Sequence, residues 1–219
     1  MKDLRAFLPE VRKEVGYAIY AAQMGETDPA AKPMKGFAGA SVMEIVAPFH
    51  GDTWRTVYTV RLKEVVYVLH AFQKKSKSGI ATPKKEIDLI HRRLTTAERA
   101  REGKLEMKKQ RKITKEEAIT VGSGNVFADL GIPNPEQELL KAELTMQIYR
   151  IIKQRNLTQT QAGKILGISQ PHVSALARNR AGNFSVGRLL DFLTALGQNV
   201  EITVKPAHKE QGEMSVVLV

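Results

Sequence analysis

Apolar residues recur at helical spacing near the start of the chain, at Leu4, Phe7, Leu8, Val11, Val15, Ala18, Ile19 and Ala22, and predict one amphipathic helix from Leu4 to Met24. A stretch containing Pro and Gly, residues 25–39, breaks it. Three runs rich in β-branched and aromatic residues follow: Val42–Ala47, Thr53–Arg61 and Val65–Gln73. The short joins Pro48–Asp52 and Leu62–Glu64 fit an antiparallel meander. Pro83 then opens a helix with Ile87, Ile90 and Leu94 on one face. Periodicity fades after Leu94 into the charged run Arg99–Lys115, a helix fraying into a linker. Ile119–Gly131 is partly apolar and shows no helix of its own. Pro135 starts a second helical region whose stripe is Leu139, Leu140, Leu144, Ile148, Ile151 and Ile152. Two short helices, a helix at Ser185–Leu196 and a strand at Asn199–Lys205 complete the pattern. The expected architecture is an α+β domain over 1–104, a small antiparallel sheet with helices. A linking segment over 105–135, an all-α domain with a C-terminal strand over 136–205, and a tail over 206–219 follow.

The stretch from Leu157 to Leu176 has the spacing of two helices joined by a tight turn. Thr158 stands at an N-cap position, Gly163 is small where a second helix must cross, and Gly167 suits the turn. Ser169 is placed to cap the next helix, with Gln170 and Pro171 as its first residues. Leu157, Ile165, Leu166, Ile168, Val173 and Leu176 form the expected buried side, leaving Gln170, His172 and Ser174 outward. This resembles the Xre/Cro family of phage-repressor-like helix-turn-helix domains across about 136–197. The resemblance implies operator DNA as partner, with Gln159 on phosphate, Gln170 and His172 near bases, and Arg178 and Arg180 on the backbone. Glutamine pairs bidentately with adenine, which favours Gln170 for direct readout. Pro171 and Ala175 stand where many repressors carry longer polar side chains, so DNA shape and dimer spacing gain weight. The edge of the Asn199–Lys205 strand could pair with its twin in a two-fold homodimer or cap its own domain.

Charge extends the picture to both halves. The chain carries 34 Lys+Arg against 23 Asp+Glu, a net +11. Residues 144–190 hold seven Lys/Arg and no acid, and residues 53–85 hold eight with only Glu64 in opposition. A polyanionic partner fits, as does simple solubility. The absence of cysteine excludes disulfides and cysteine-rich zinc sites, and no cofactor or metal is expected. No apolar run approaches the ~20 residues of a membrane-spanning helix, so no membrane partner and a cytoplasmic location are expected.

In the first half, cations beside Trp54, Tyr58, Tyr67 and Phe72 suit RNA, with lysine or arginine for phosphate and rings for stacking. Strand alternation sets Arg55, Val57, Thr59 and Arg61 on one face and Trp54, Thr56, Tyr58 and Val60 on the other. Without a carboxylate cluster for two metals, metal-independent attack by a 2′-hydroxyl is the natural chemistry. The segments Trp54–Tyr58, Val66–Ser76 and Thr82–Ile87 resemble the HigB-like, phage-derived branch of the RelE/ParE toxin superfamily, across nearly all of residues 3–100. That resemblance implies an mRNA endonuclease acting on the ribosome, with Arg55 as phosphate stabiliser and Lys74 and Lys75 as a basic pair. Tyr58 and His70 are further catalytic candidates, although His70 fits a satisfied core histidine equally well. Lys84 and Lys85 read as a solvated helix start. Gly122–Gly131 together with the helix-turn-helix resembles the HigA-like antitoxin, so the chain resembles a toxin and antitoxin joined head to tail. Such toxins begin with a strand before the first helix, whereas this chain starts on the helix. The open sheet edge is expected to take Ile119–Phe127, with Val121, Asn125, Val126 and Phe127 neutralising the toxin in the same or an exchanged chain. The other readings are a repressor with a degenerate toxin-like domain, and a gyrase inhibitor of the ParE kind.

Overall fold

The computed structural model describes residues 2–37, 42–59, 65–74, 82–102, 118–178, 184–206, 214 and 216. The join expected at Leu62–Glu64, most of the charged run after Arg99, Lys75 and Arg180 lie outside the described residues. The chain divides into two compact units, 1–124 and 125–219.

In the first unit the single helix expected from Leu4 to Met24 is two, α1 (Lys2–Arg5) and α2 (Pro9–Gln23). Pro9 makes the break: a residue before proline is driven out of helical backbone, and Leu8 sits at φ −59°, ψ 147°. Past the break the expected apolar face holds, with Val11, Val15, Ala18, Ile19 and Ala22 buried beside Tyr17 and Tyr20.

Among the described residues four strands make one antiparallel sheet in sequential order: β1 (Ala31–Pro33), β2 (Val42–Phe49), β3 (Asp52–Thr59) and β4 (Val68–Lys74). The meander is as expected, but β2 runs through Pro48. The β2–β3 turn shrinks to His50 and Gly51, at φ 48° and 82°. Two successive positive φ values match the twist of a tight hairpin. The three-residue β1 comes from the stretch read only as a helix breaker, and it covers part of the β2 edge.

Alternation along β3 is as expected, yet both faces are covered, since every residue from Trp54 to Thr59 is buried. Val57 packs with Val42, Ile90 and Leu94, so α3 (Lys84–Arg101) covers one face with the predicted Ile87–Ile90–Leu94 stripe. On the other face Trp54 packs against Phe7, ring centroids 4.7 Å apart. Trp54 and Tyr58 are therefore core residues rather than the open stacking platform expected for RNA bases.

The second unit starts with a helical turn, α4 (Val126–Asp129), where the sequence shows no helix and where Ile119–Phe127 is expected as an added strand. The side chain of Asn125 explains it, accepting the backbone amides of Phe127 and Ala128 at 3.0 and 3.3 Å. Val126 and Phe127 are buried, and α4 packs on α5 (Pro135–Gln154). Val121 is exposed and unassigned to any strand. From α5 the buried Leu140, Leu144, Ile148 and Ile151 meet α7 (Gln170–Ala177) and α8 (Val186–Ala195). The expected strand Asn199–Lys205 is not formed among the described residues: Val200, Ile202 and Val204 are exposed, and no described strand pairs with them.

Candidate functional site

The helix-turn-helix is formed by α6 (Gln159–Leu166) and α7. Thr158 caps α6 in a reciprocal capping box with Gln161, which fixes where the helix starts. Gly167 closes α6 at φ 64°, a left-handed conformation that glycine adopts without steric cost. Gly163 meets the turn closely, since a β-carbon there would lie 2.7 Å from the backbone oxygen of Ile168. Leu166, Val173 and Leu176 are buried as expected, whereas Ile165 is exposed.

Gln159, Gln170, His172 and Arg178 are exposed. Gln170 donates to the side-chain oxygen of Gln159, joining the first residues of the two helices. Ser169 stands at the N-cap of α7 without a capping bond from its side chain. Its hydroxyl instead meets Nδ1 of His172 at 2.9 Å. Ser174 departs from expectation: it is buried and accepts a hydrogen bond from Arg178 at 2.6 Å. It sits four residues before Arg178 on the helix, so it steadies that arginine instead of facing outward.

In the first unit Arg55, His70 and Lys74 share the α3 face of the sheet, because Arg55 pairs with Phe72, Val57 with His70 and Thr53 with Lys74. Tyr58 lies on the opposite face, and burial, reinforced by Asp28, pushes its phenol up to about 12. It is thereby excluded as a base near neutrality. Arg55, expected as a phosphate stabiliser, is buried in a salt bridge with Glu44, with Thr82 Oγ1 at 3.4 Å. Glu44 also lies 3.8 Å from Lys32. His70 is buried between two carboxylates, Nε2 at 2.7 Å from Glu86 and Nδ1 at 3.2 Å from Asp3. Arg93 adds 2.8 Å contacts to Asp3 and to the carbonyl of Leu69. The hydrogen bond from His70 and the contacts with Arg93 hold the Asp3 carboxyl well below the usual carboxylate range, against the opposing pull of burial.

Asp3, Glu86 and Arg93 leave no signal in the sequence because Asp3 lies on α1 and the other two on α3, and they meet only around His70 of β4. Glu44 did leave a signal, an acid at an inward position of an apolar strand, which needs a cation beside it.

Residues 2–95 match the family described as phage derived protein Gp49-like, and residues 126–205 match a helix-turn-helix domain family. A solved structure named Putative XRE Family Transcriptional Regulator is 38% identical, over 40% of this chain and 100% of that one, with a TM-score of 0.37. No curated protein matches the chain. Residues 2–95 thus form a Gp49-like domain, of the RelE/HigB-like toxin family, and residues 126–205 an Xre-like helix-turn-helix domain.

Proposed function

We propose that the chain is a toxin–antitoxin fusion whose second unit binds operator DNA and represses its own promoter. The observation that carries this is the α6–α7 arrangement. Gln159 at one helix N-terminus is bonded to Gln170 at the next, with His172 exposed one turn into the helix that would enter the major groove. Phosphate contacts fall to Gln159 and Arg178, with Arg180 beside them in sequence, and base contacts to Gln170 and His172. A two-fold homodimer suits a palindromic operator. The exposed 199–205 segment offers it a seam: antiparallel pairing centred on Thr203 sets Glu201 opposite Lys205 of a second copy and Ile202 opposite Val204. Footprinting of the upstream DNA tests the reading. Protection lost in Gln170→Ala supports it, and no protection by the folded chain refutes it.

For the first unit the proposal is a metal-independent, ribosome-directed mRNA endonuclease restrained by the covalently attached antitoxin, in a cytoplasmic setting. Tethering holds such partners at roughly millimolar effective concentration. Val121 would take part in restraint from an exposed strap over residues 119–124, which Asn125, Val126 and Phe127 anchor to α5, and not as an added strand.

A second reading has a specific observation behind it. Arg55 is sealed against Glu44 and Tyr58 lies in the core, as suits a repressor with a non-catalytic toxin-like domain. Expression of residues 1–124 separates the two. Growth arrest with ribosomal mRNA cleavage that Arg55→Ala abolishes supports the endonuclease, and harmless expression of a folded domain supports the second reading.

A further inference from the structure

Glu44 is where three elements of the first unit meet. Lys32 of β1 lies directly opposite it in the sheet register, Arg55 of β3 donates to its Oε1, and Thr82, two residues before α3, reaches the same Arg55 guanidinium. Two cations thus share one carboxylate. Arg55 and Glu44 are 8% and 4% exposed, so this is a buried charge cluster with one surplus positive charge. The Arg55 Nε–H is also buried with no hydrogen-bond partner among the described residues. A guanidinium keeps its charge in any protein setting, and an unused buried donor on it is costly. Lys32, 60% exposed at the side chain, sits on the short edge strand, so the cluster meets solvent on its side.

We propose that Lys32, Arg55 and Thr82 form an oxyanion seat for a phosphoryl group, and that Glu44 is its resting occupant. A carboxylate and a phosphate present oxygens of similar geometry to a guanidinium, and the phosphate, with more acceptor oxygens, satisfies more donors than one carboxylate does. When Glu44 swings away, the seat offers the charge of Arg55 and Lys32, the idle Nε–H and the Thr82 hydroxyl to an incoming phosphate. The contact is self-inhibitory: a phosphoryl ligand gains only the difference between its own interaction and that of Glu44. This deepens the endonuclease reading, in which Arg55 faces the scissile phosphate, and it identifies Glu44 as the group that keeps the site closed.

The test uses the full chain with inorganic phosphate as probe, followed by calorimetric titration at low ionic strength. Glu44→Gln keeps the shape of the side chain and a hydrogen bond to Arg55 while removing the competing charge. Its phosphate affinity should rise about tenfold over that of the unaltered protein, an effect of the size expected for one charge-assisted contact. The gain should vanish in Glu44→Gln/Arg55→Lys and shrink in Glu44→Gln/Lys32→Met. Should Glu44→Gln fail to fold, Glu44→Asp retains the charge but retracts it by one methylene and should still bind phosphate more tightly than the unaltered chain. Folded Glu44→Gln or Glu44→Asp with unchanged phosphate affinity overturns the seat. RNA cleavage separates this from the wider reading. Tighter phosphate binding by the full chain, with no cleavage by residues 1–124 freed of the antitoxin, supports the seat and sinks the endonuclease. Cleavage that requires Arg55 but is indifferent to Glu44→Gln overturns the seat and leaves the endonuclease standing.

Discussion

Substituting Gly163 with alanine is the sharpest single test of the helix-turn-helix geometry. Gly163 is in the body of α6, where alanine normally stabilises by about 1 kcal/mol relative to glycine. Here the added methyl would meet the Ile168 backbone oxygen at 2.7 Å, and a backbone atom cannot rotate aside. Relief requires α6 and the turn to separate by a few tenths of an ångström. That motion strains the 3.0 Å hydrogen bond from Ile168 N–H to the Gly163 carbonyl. Overpacking of this kind costs about 1–3 kcal/mol and a weakened hydrogen bond about 1 more, so a net loss of roughly 1–3 kcal/mol is expected after the propensity gain. Gly187→Ala is the control: that β-carbon meets nothing nearer than Ser185 Oγ at 4.0 Å, so a gain of about 0.5 kcal/mol is expected from propensity alone. Urea denaturation followed by far-ultraviolet circular dichroism reads the helical unit, while the fluorescence of Trp54, the single tryptophan, reads the first unit. At an m-value of about 1–2 kcal/mol/M the Gly163→Ala midpoint should fall by about 1 M with the fluorescence transition unmoved. A neutral or stabilised Gly163→Ala would show that α6 and the turn do not approach as described.

Three further outcomes follow from the same structure. The depressed Asp3 carboxyl contributes stability that is fully present above the unfolded value of ~4 and is lost as pH falls toward its folded value. Asp3→Asn should therefore lower the stability of the first unit at neutral pH and flatten its acid limb below pH ~4, measured by urea melts on Trp54; an unchanged acid limb refutes the assignment. Tyr58, with its phenol pushed up to about 12, should stay protonated through pH 10 in a tyrosine absorbance titration, and Tyr58→Phe should leave any RNA cleavage intact; loss of cleavage with the fold preserved would restore it as a catalytic group. Gln170→Ala should weaken operator binding by about 10- to 100-fold with little effect on non-specific DNA, whereas Arg178→Ala should weaken both and shallow the salt dependence. An equal loss on both DNAs from Gln170→Ala would remove it from base readout.

Local chemistry made much of this protein readable in advance. Thr158, Gly163, Gly167 and the Leu166–Val173–Leu176 side chains specify the α6–α7 pair because caps, turns and helical periodicity act within a few residues. The three long strands and the α3 stripe were legible for the same reason, and alternation correctly put Arg55 and Tyr58 on opposite faces. Tertiary structure decided what local pattern cannot carry. The extended sequence at Asn199–Lys205 makes no strand without a partner edge, and Phe127 joined a capped turn packed on α5 instead of a sheet. Burial of both faces of β3 turned Trp54 and Tyr58 into core. The pairing of Arg55 with Glu44, and of His70 with Asp3 and Glu86, joins residues 11, 67 and 16 positions apart. Charge can be counted along a chain, but which charges meet, and how far from water, is set only when the strands and helices close over them.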